Sequence, residues 1–238
     1  FEAADHLPGI ASASNLIGDI YRAQEKYEKA LANYHRALAI HRNMNNKERI
    51  ATVLNNIAVC YMRQKRYQEA LDTLLYTETL YKEVGSTHIV WAWLNLSEYF
   101  VKRQDFAQAL SYALRTLDTA SKVDDRLTTV AAMHTIGLSY SRLGKIDSAL
   151  IFGIRSQQTA VRFGFRNELK QSYYVLSEIY SDARRYDSAL YYYKCFSTLR
   201  DSVLSAEMQN NVATLQMQIE TAKQEEQIKR LSLYRNSL

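Results

Sequence analysis

The feature that most constrains this 238-residue chain is a five-fold repeat of small and aromatic residues. Each copy holds a small residue, an aromatic residue three positions on, an aromatic or isoleucine nine positions on and an alanine twelve positions on. The small anchor residues, spaced 40, 39, 40 and 40 residues apart, are Gly18, Ala58, Ser97, Gly137 and Ser177. A period of roughly 20–50 residues marks supersecondary units stacked in a row. The repeat therefore predicts an elongated stack and not a single central core.

The repeated alanines predict pairs of antiparallel helices. They are Ala30, Ala70, Ala109, Ala149 and Ala189. A very small side chain lets two helices approach closely, and the aromatic residues upstream fill the groove beside the crossing. One pair cannot bury its apolar face alone, so the pairs must stack into an all-α solenoid.

The pattern resembles the tetratricopeptide repeat (TPR), in which a small residue, a tyrosine, a second aromatic residue and alanines follow at similar offsets. The resemblance covers residues 11–200 as five repeats, at about 11–50, 51–89, 90–129, 130–169 and 170–200. It implies a right-handed α–α superhelix (a TPR solenoid) of about five helix pairs plus a long C-terminal helix. The chain departs from the family in a repeat near 40 instead of 34 residues, and in lacking the proline that closes each repeat.

Turn-forming residues recur at one place in each repeat and predict the connections between successive pairs. They are Asn45-Asn46, Gly85-Ser86, Asp124-Asp125 and Gly164. Residues 1–10 are predicted to be the tail of a truncated preceding repeat, followed by a turn at Pro8-Gly9. The turns inside the pairs are predicted near Glu25-Lys26, Arg63–Arg66, Arg103–Asp105, Leu143–Lys145 and Asp182–Arg185.

Residues 201–238 contain no glycine or proline and carry an apolar stripe at helical spacing. The stripe comprises Leu204, Met208, Val212, Leu215 and Ile219. It predicts a long helix that either caps the last repeat or serves as a linker or a coiled coil, through which two copies of the chain form a homodimer.

Composition limits the classes of partner. The formal net charge is +5 without a run of five or six basic residues, so nucleic acid is not the predicted partner of this region. No stretch approaches the ~18 apolar residues of a membrane span, so membrane attachment is predicted only through a segment outside this chain.

The chain begins with Phe1 and not methionine, which indicates a piece of a longer product. Cys60 and Cys195 lie in the second and fifth repeats, too far apart in a stack for a disulfide.

The sequence carries no catalytic or metal-binding pattern, so the chain is predicted not to be an enzyme and to need no cofactor. The histidines are scattered, at His6, His35, His41, His88 and His134. The run GLSYSRLGK at 137–145 is superficially similar to a phosphate loop. Its glycines are wrongly spaced, and no serine or threonine follows Lys145.

The resemblance places the first helix of each pair on the concave face, where equivalent residues form rows. Two positions before the anchor lie Leu16, Asn56, Asn95, Thr135 and Val175. In related proteins asparagines in such a row hold the backbone of an extended peptide, because a carboxamide matches both a peptide N–H and a C=O. The resemblance extends this role to Asn56 and Asn95.

A second row lies five positions after the anchor and is mostly basic. It holds Ala23, Arg63, Lys102, Arg142 and Asp182. The three successive cations would attract an acidic segment or a C-terminal carboxylate, and Trp91 would add an aromatic contact at the same surface. Both rows, and Trp91, also have structural explanations. The asparagines could form hydrogen bonds with neighbouring helix backbones, the cations are favoured near helix C-termini by the helix dipole, and a tryptophan more often belongs to the core. The residues of the carboxylate-clamp subfamily are not matched as a set.

The sequence therefore predicts a protein–protein or peptide-binding module. Resemblance to bacterial membrane-bound TPR regulators and histidine kinases implies a periplasmic or extracytoplasmic sensor region, followed by a membrane span and an output domain. The alternatives are a cytoplasmic regulator of the peptide-receptor type and a structural scaffold that self-associates through its C-terminal helix.

Overall fold

The computed structural model describes residues 7–202 as an all-helical stack. The helices are α1 Leu7–Ala23, α2 Tyr27–Asn43, α3 Lys47–Arg63, α4 Tyr67–Val84, α5 Ile89–Lys102, α6 Phe106–Lys122, α7 Arg126–Arg142, α8 Ile146–Phe163, α9 Arg166–Asp182 and α10 186–202. Each odd-numbered helix packs against the helix that follows it, which gives five pairs in line. The all-α solenoid predicted from the repeat is confirmed.

Each turn between consecutive helices contains one residue in the left-handed conformation. These residues are Glu25, Asn45, Lys65, Gly85, Gln104, Asp124, Gly144, Gly164 and Arg184. At the end of α8, the N–H of Phe165 donates to the carbonyl of Ala160 at 2.9 Å and that of Gly164 to Val161 at 3.2 Å. This hydrogen-bonding pattern satisfies carbonyl groups that the end of a helix leaves without partners. The turns lie at the residues that the sequence indicates.

Substituting Gly164 by alanine tests the backbone strain at one of these turns. A Cβ there meets nothing within 4 Å, but φ is +70°. We expect the free energy of unfolding to fall by about 1 kcal/mol, because an L-residue is strained in the left-handed region. Chemical denaturation measures it. Gly9→Ala is the control, since that site is open and has no positive φ; an equal loss in both variants would contradict the explanation.

The turn predicted at Pro8-Gly9 is wrong, because α1 begins at Leu7 and both residues lie in its first turn. A proline is accepted there, since the first N–H groups of a helix have no intrahelical acceptor and the fixed φ of proline suits a helix. The helix pairs begin a little before the repeat boundaries drawn from the sequence, at Leu7, Lys47, Ile89, Arg126 and Arg166.

Small residues and aromatic stacks hold the pairs together. Fully buried alanines lie at the predicted crossings, at Ala30, Ala70, Ala109 and Ala149. In three pairs the aromatic residue after the anchor stacks on a ring of the second helix. The stacks, with their centroid distances, are Phe100–Tyr112 at 5.7 Å, Tyr140–Phe152 at 5.9 Å and Tyr180–Tyr192 at 5.3 Å. Close backbone approach and ring packing therefore occur side by side, as the repeat pattern predicts.

The stack is curved, with the odd-numbered helices on its inner side. Each of α1, α3, α5 and α7 contacts the next odd-numbered helix, whereas α2, α4, α6 and α8 do not contact one another. Helices that touch on one side and spread on the other bend a stack toward the first side. The concave face is therefore built from α1, α3, α5, α7 and α9.

Candidate functional site

A cavity of about 410 Å³ opens on the concave face. Its lining comes entirely from odd-numbered helices: Arg63 of α3; Glu98, Val101 and Lys102 of α5; Ala131, His134, Thr135 and Leu138 of α7; and Asn167, Glu168, Gln171 and Val175 of α9. Four successive repeats thus contribute to one site.

Side chains about 40 residues apart meet across neighbouring inner helices. The Nδ2 of Asn95 donates to the Oδ1 of Asn55 at 2.9 Å, and the Nε2 of His134 lies 2.8 Å from the Oγ of Ser172. Residues at similar offsets in consecutive repeats therefore lie close together on the concave face.

Both predicted asparagines donate hydrogen bonds to side chains of a neighbouring inner helix. Asn56 donates from Nδ2 to the Oδ1 atoms of Asn15 and Asp19, at 3.3 and 3.5 Å, while Asn95 donates to Asn55. Neither residue lines the cavity. A contact of Asn56 or Asn95 with a peptide stays a prediction.

The three cations of the predicted basic row have different surroundings in the structure. Arg63 and Lys102 line the cavity. Arg142 instead donates to Asp182 at 2.6 Å and to Glu178 at 2.5 Å, both on α9. The local sequence places all three cations alike near helix C-termini, but among the described residues only Arg142 lies within ion-pair distance of carboxylates on the next inner helix. Arg142 is therefore neutralised, and the cationic part of the site is limited to α3 and α5.

Trp91 lies apart from the cavity, near the start of α5. Its ring stacks on His88 at a centroid distance of 4.3 Å. The Nδ1 of His88 lies 3.1 Å from Oε1 of Glu48, which also accepts from the Oγ of Ser86 at 2.6 Å. These two contacts and the charge of His88 hold the pKa of Glu48 below its ordinary range, Ser86 contributing most. A partner contact through Trp91 stays a prediction.

The sequence reasoning missed Glu98, which lies beside the two cations of the cavity. Burial raises the pKa of this carboxyl, while Arg63 and Lys102 oppose the rise. The missed signal was its position four residues before Lys102, which places both on one helix face. Glu98 therefore belongs to the same site as Arg63 and Lys102.

His134 is a neutral polar group in the middle of the cavity. Burial lowers the pKa of its imidazole to about 4. The hydroxyl of Ser172 donates to the carbonyl of Glu168 at 2.9 Å, so the same oxygen accepts from the Nε2–H of His134. The histidine is thus held in one tautomer and adds no charge near neutral pH.

The described residues contain no group of three His, Cys, Asp or Glu side chains placed to hold a metal ion. None of the helices between residues 7 and 202 is both long and apolar enough to cross a membrane.

Burial raises the pKa of the Cys60 thiol to about 11, which keeps it protonated. Leu204, Met208, Val212, Leu215 and Ile219 lie outside the described residues.

The fold and a part of the sequence are similar to known regulators. Response regulator aspartate phosphatase I of Bacillus subtilis is 27% identical over 114 residues, which are 48% of this chain and 28% of that protein. The chain thus spans less than a third of the curated relative.

The fold is shared with solved structures, among them two Rap proteins. A Rap protein complexed with Competence and Sporulation Factor superposes with a TM-score of 0.69 at 16% identity, covering 78% of this chain and 52% of that one. The Rap conjugation gene regulator of plasmid pLS20, in complex with the Phr* peptide, gives 0.64 at 16% identity, covering 80% and 53%.

A family model of the tetratricopeptide repeat matches residues 9–83 and 88–158. These two segments make up more than half of the chain, and their repeats coincide with helix pairs of the structure. The chain belongs to the tetratricopeptide-repeat family.

Proposed function

We propose that this chain is a non-catalytic interaction module that binds a peptide segment in the cavity of its concave face. The observation that carries the proposal is the cavity itself, whose volume of about 410 Å³ lies within the roughly 300–1,000 Å³ of ligand sites. Four successive inner helices line it, which suits an extended ligand better than a compact one.

The chemistry of the lining favours peptide binding over catalysis. Asn167 and Gln171 offer amide donors and acceptors that match a peptide backbone, while Leu138 and Val175 offer apolar contact. The lining contains neither a serine nor a cysteine, and its histidine is held neutral by burial. These groups suit recognition of a ligand.

The relatives support the same role. The Rap regulator of pLS20 has the same fold and is described in complex with a peptide. By this likeness and by the sequence, we propose the sensor or interaction region of a bacterial signalling or transcriptional regulator. An aspartate phosphatase activity, as in the name of the Bacillus subtilis relative, is not part of the proposal.

The test is selection from a phage-displayed library of random linear peptides on the immobilised chain. Gln171 is exposed and lines the cavity, so Gln171→Trp fills the site while leaving the core intact. We expect peptides enriched on the wild type to bind this variant at least tenfold more weakly.

Gln158→Trp is the matched control, because Gln158 is an exposed residue of the outer helix α8. It should bind the selected peptides as the wild type does. No enrichment on the wild type, or equal binding by both tryptophan variants, would contradict a peptide site in this cavity.

A further inference from the structure

Successive helix pairs are joined in the same way along the stack, because each outer helix packs against the inner helix of the next pair. Where α8 meets α9, a Cβ on Gly153 would lie 2.8 Å from the Cδ2 of Leu176 and 3.0 Å from the Cδ1 of Ile179. Where α4 meets α5, the rings of Tyr67 and Tyr99 pack edge to face, with their centroids 6.4 Å apart. These contacts identify the repeat positions that meet where one pair joins the next.

The first helix, α1, leaves the inner half of such a junction open. Ile17 and Ile20 occupy the repeat positions of Leu176 and Ile179, and they are 43% and 50% exposed. In the four later repeats the residues at these two positions are at most 7% exposed; they are Ile57, Cys60, Leu96, Tyr99, Ile136, Ser139, Leu176 and Ile179. Residues 7–18 of α1 also include no charged side chain. Since the solvent face of a helix is usually polar or charged, α1 has the surface of a helix inside a stack.

The last described helix, α10, leaves the outer half of a junction open. Tyr186 and Tyr193 occupy the repeat positions of Tyr67 and Gly153, and they are 66% and 49% exposed. Leu190, one turn of helix from each, is 53% exposed. The residues of the earlier repeats at the position of Tyr193 are all buried: Tyr34, Leu74, Ala113 and Gly153. The open face of α10 is therefore the counterpart of the open face of α1.

The side chains on these two faces match in size a junction that exists within the stack. Where α2 meets α3, Tyr34 stands at the repeat position of Tyr193, and Ile57 stands at that of Ile17. Tyr34 and Ile57 belong to one hydrophobic cluster and are almost completely buried. A junction between Tyr193 and Ile17 would repeat this combination of side chains.

We propose that copies of this chain associate end to end, with α10 of one copy packed against α1 of the next, as α8 packs against α9. The contact joins two different faces, so each added copy presents a new open face at either end of the assembly. Each junction uses one face of each helix, so the association is weak and depends on concentration. The cavity is lined by α3, α5, α7 and α9, which makes this inference independent of the proposed peptide binding.

Sedimentation equilibrium of the wild-type chain, from roughly 5 to roughly 300 µM, covers the range in which a weak contact forms. We expect the average mass to rise above that of the monomer by about half or more. Ile17→Lys and Leu190→Lys should each abolish the rise, because a lysine would be buried without a partner in the contact. Ile151→Lys is the matched control, since this isoleucine is equally exposed but lies on the outer helix α8; it should associate as the wild type does.

A mixture of the two variants distinguishes the end-to-end contact from a symmetric one. The Ile17→Lys copy keeps its α10 face, and the Leu190→Lys copy keeps its α1 face. Each variant alone should stay monomeric, whereas the equimolar mixture should form a dimer and nothing larger.

A wild type that stays monomeric over the whole range would overturn the proposal, as would a mixture that stays monomeric while the wild type associates. Dimers of Leu190→Lys alone would also overturn it, since they require two α1 faces to pair with each other. Association that persists in both variants would place the contact elsewhere, for example at the apolar stripe of residues 204–219, and would overturn it as well.

Discussion

Replacing Glu78 with alanine is expected to lower the free energy of unfolding by about 2–3 kcal/mol, the range for a hydrogen bond to a buried charged group. Only 8% of this side chain is exposed, yet it accepts from the Nε1 of Trp93 at 2.8 Å and pairs with Lys82 at 2.8 Å and Arg115 at 3.4 Å. The guanidinium of Arg115 also lies 4.2 Å from the ring centre of Trp93. The carboxylate therefore joins α4, α5 and α6.

Lys82→Ala serves as the control for this prediction. The lysine is 55% exposed, so its loss should cost less than about 1 kcal/mol, as is usual for solvent-screened pairs. Urea denaturation at pH 7 compares the two variants. Equal losses of unfolding free energy would show that the buried carboxylate of Glu78 stabilises the contact between these helices no more than the exposed Lys82 does.

The same carboxylate makes stability depend on pH. Burial alone would raise the pKa of Glu78, but hydrogen bonds from Lys82 and Trp93 outweigh it and hold the pKa below its ordinary value of 4.5. A lowered pKa in the folded state stabilises the fold above pH 4.5, and this contribution is lost as the pH falls through the folded value. Glu78→Gln should therefore lose less stability than the wild type on acidification below pH 4.5.

Adding a single methyl group at Gly18 is expected to cost about 1–3 kcal/mol, the usual effect of overpacking a closed site. A Cβ there would lie 2.5 Å from Cε1 of Tyr34. The fully buried Tyr34 cannot retreat, because its hydroxyl donates to Asp19 at 2.7 Å and accepts from Arg22 at 3.1 Å. Thermal or urea unfolding of Gly18→Ala measures the loss.

The equivalent glycine of repeat 4 provides the control. A Cβ on Gly137 would come no closer than 3.4 Å to another atom, so Gly137→Ala should cost little or nothing. In repeat 2 the same two positions hold Ala58 and Leu74, both fully buried. We therefore expect Gly18→Ala to be much less harmful in a Tyr34→Leu background. An unchanged cost in the double-mutant cycle would show that the tyrosine ring is not the obstacle.

The fold could be predicted from the sequence because its signals are local and repeated. The small residues at helix crossings, such as Ala30 and Ala70, mark where helices approach. Turn formers such as Asn45 and Asp124 mark where the chain reverses, since both adopt the left-handed conformation in the structure. The prediction of a turn at Pro8-Gly9 failed because the same dipeptide is also compatible with the first turn of a helix.

The site could be predicted only in part. The repeat register placed Arg63, Lys102 and Thr135 on the inner helices, and all three line the cavity. The register could not distinguish Arg142 from them, since its carboxylate partners lie 36 and 40 residues away on another helix. It also gave no reason to single out Glu98, whose importance comes from burial beside two cations of neighbouring helices.

The sequence by itself determined the repeating unit of this protein, a pair of antiparallel helices, and the number of pairs. It also determined which face of each helix turns inward. All three follow from the periodic spacing of residues along the chain. The tertiary structure decided which inner side chains satisfy one another and which remain available to a ligand. Asn56 is engaged by Asn15 and Asp19 of the preceding inner helix, whereas Arg63, seven residues later on the same helix, opens onto the cavity. Such differences depend on contacts between successive repeats, where residues about 40 positions apart meet, and no local pattern encodes them.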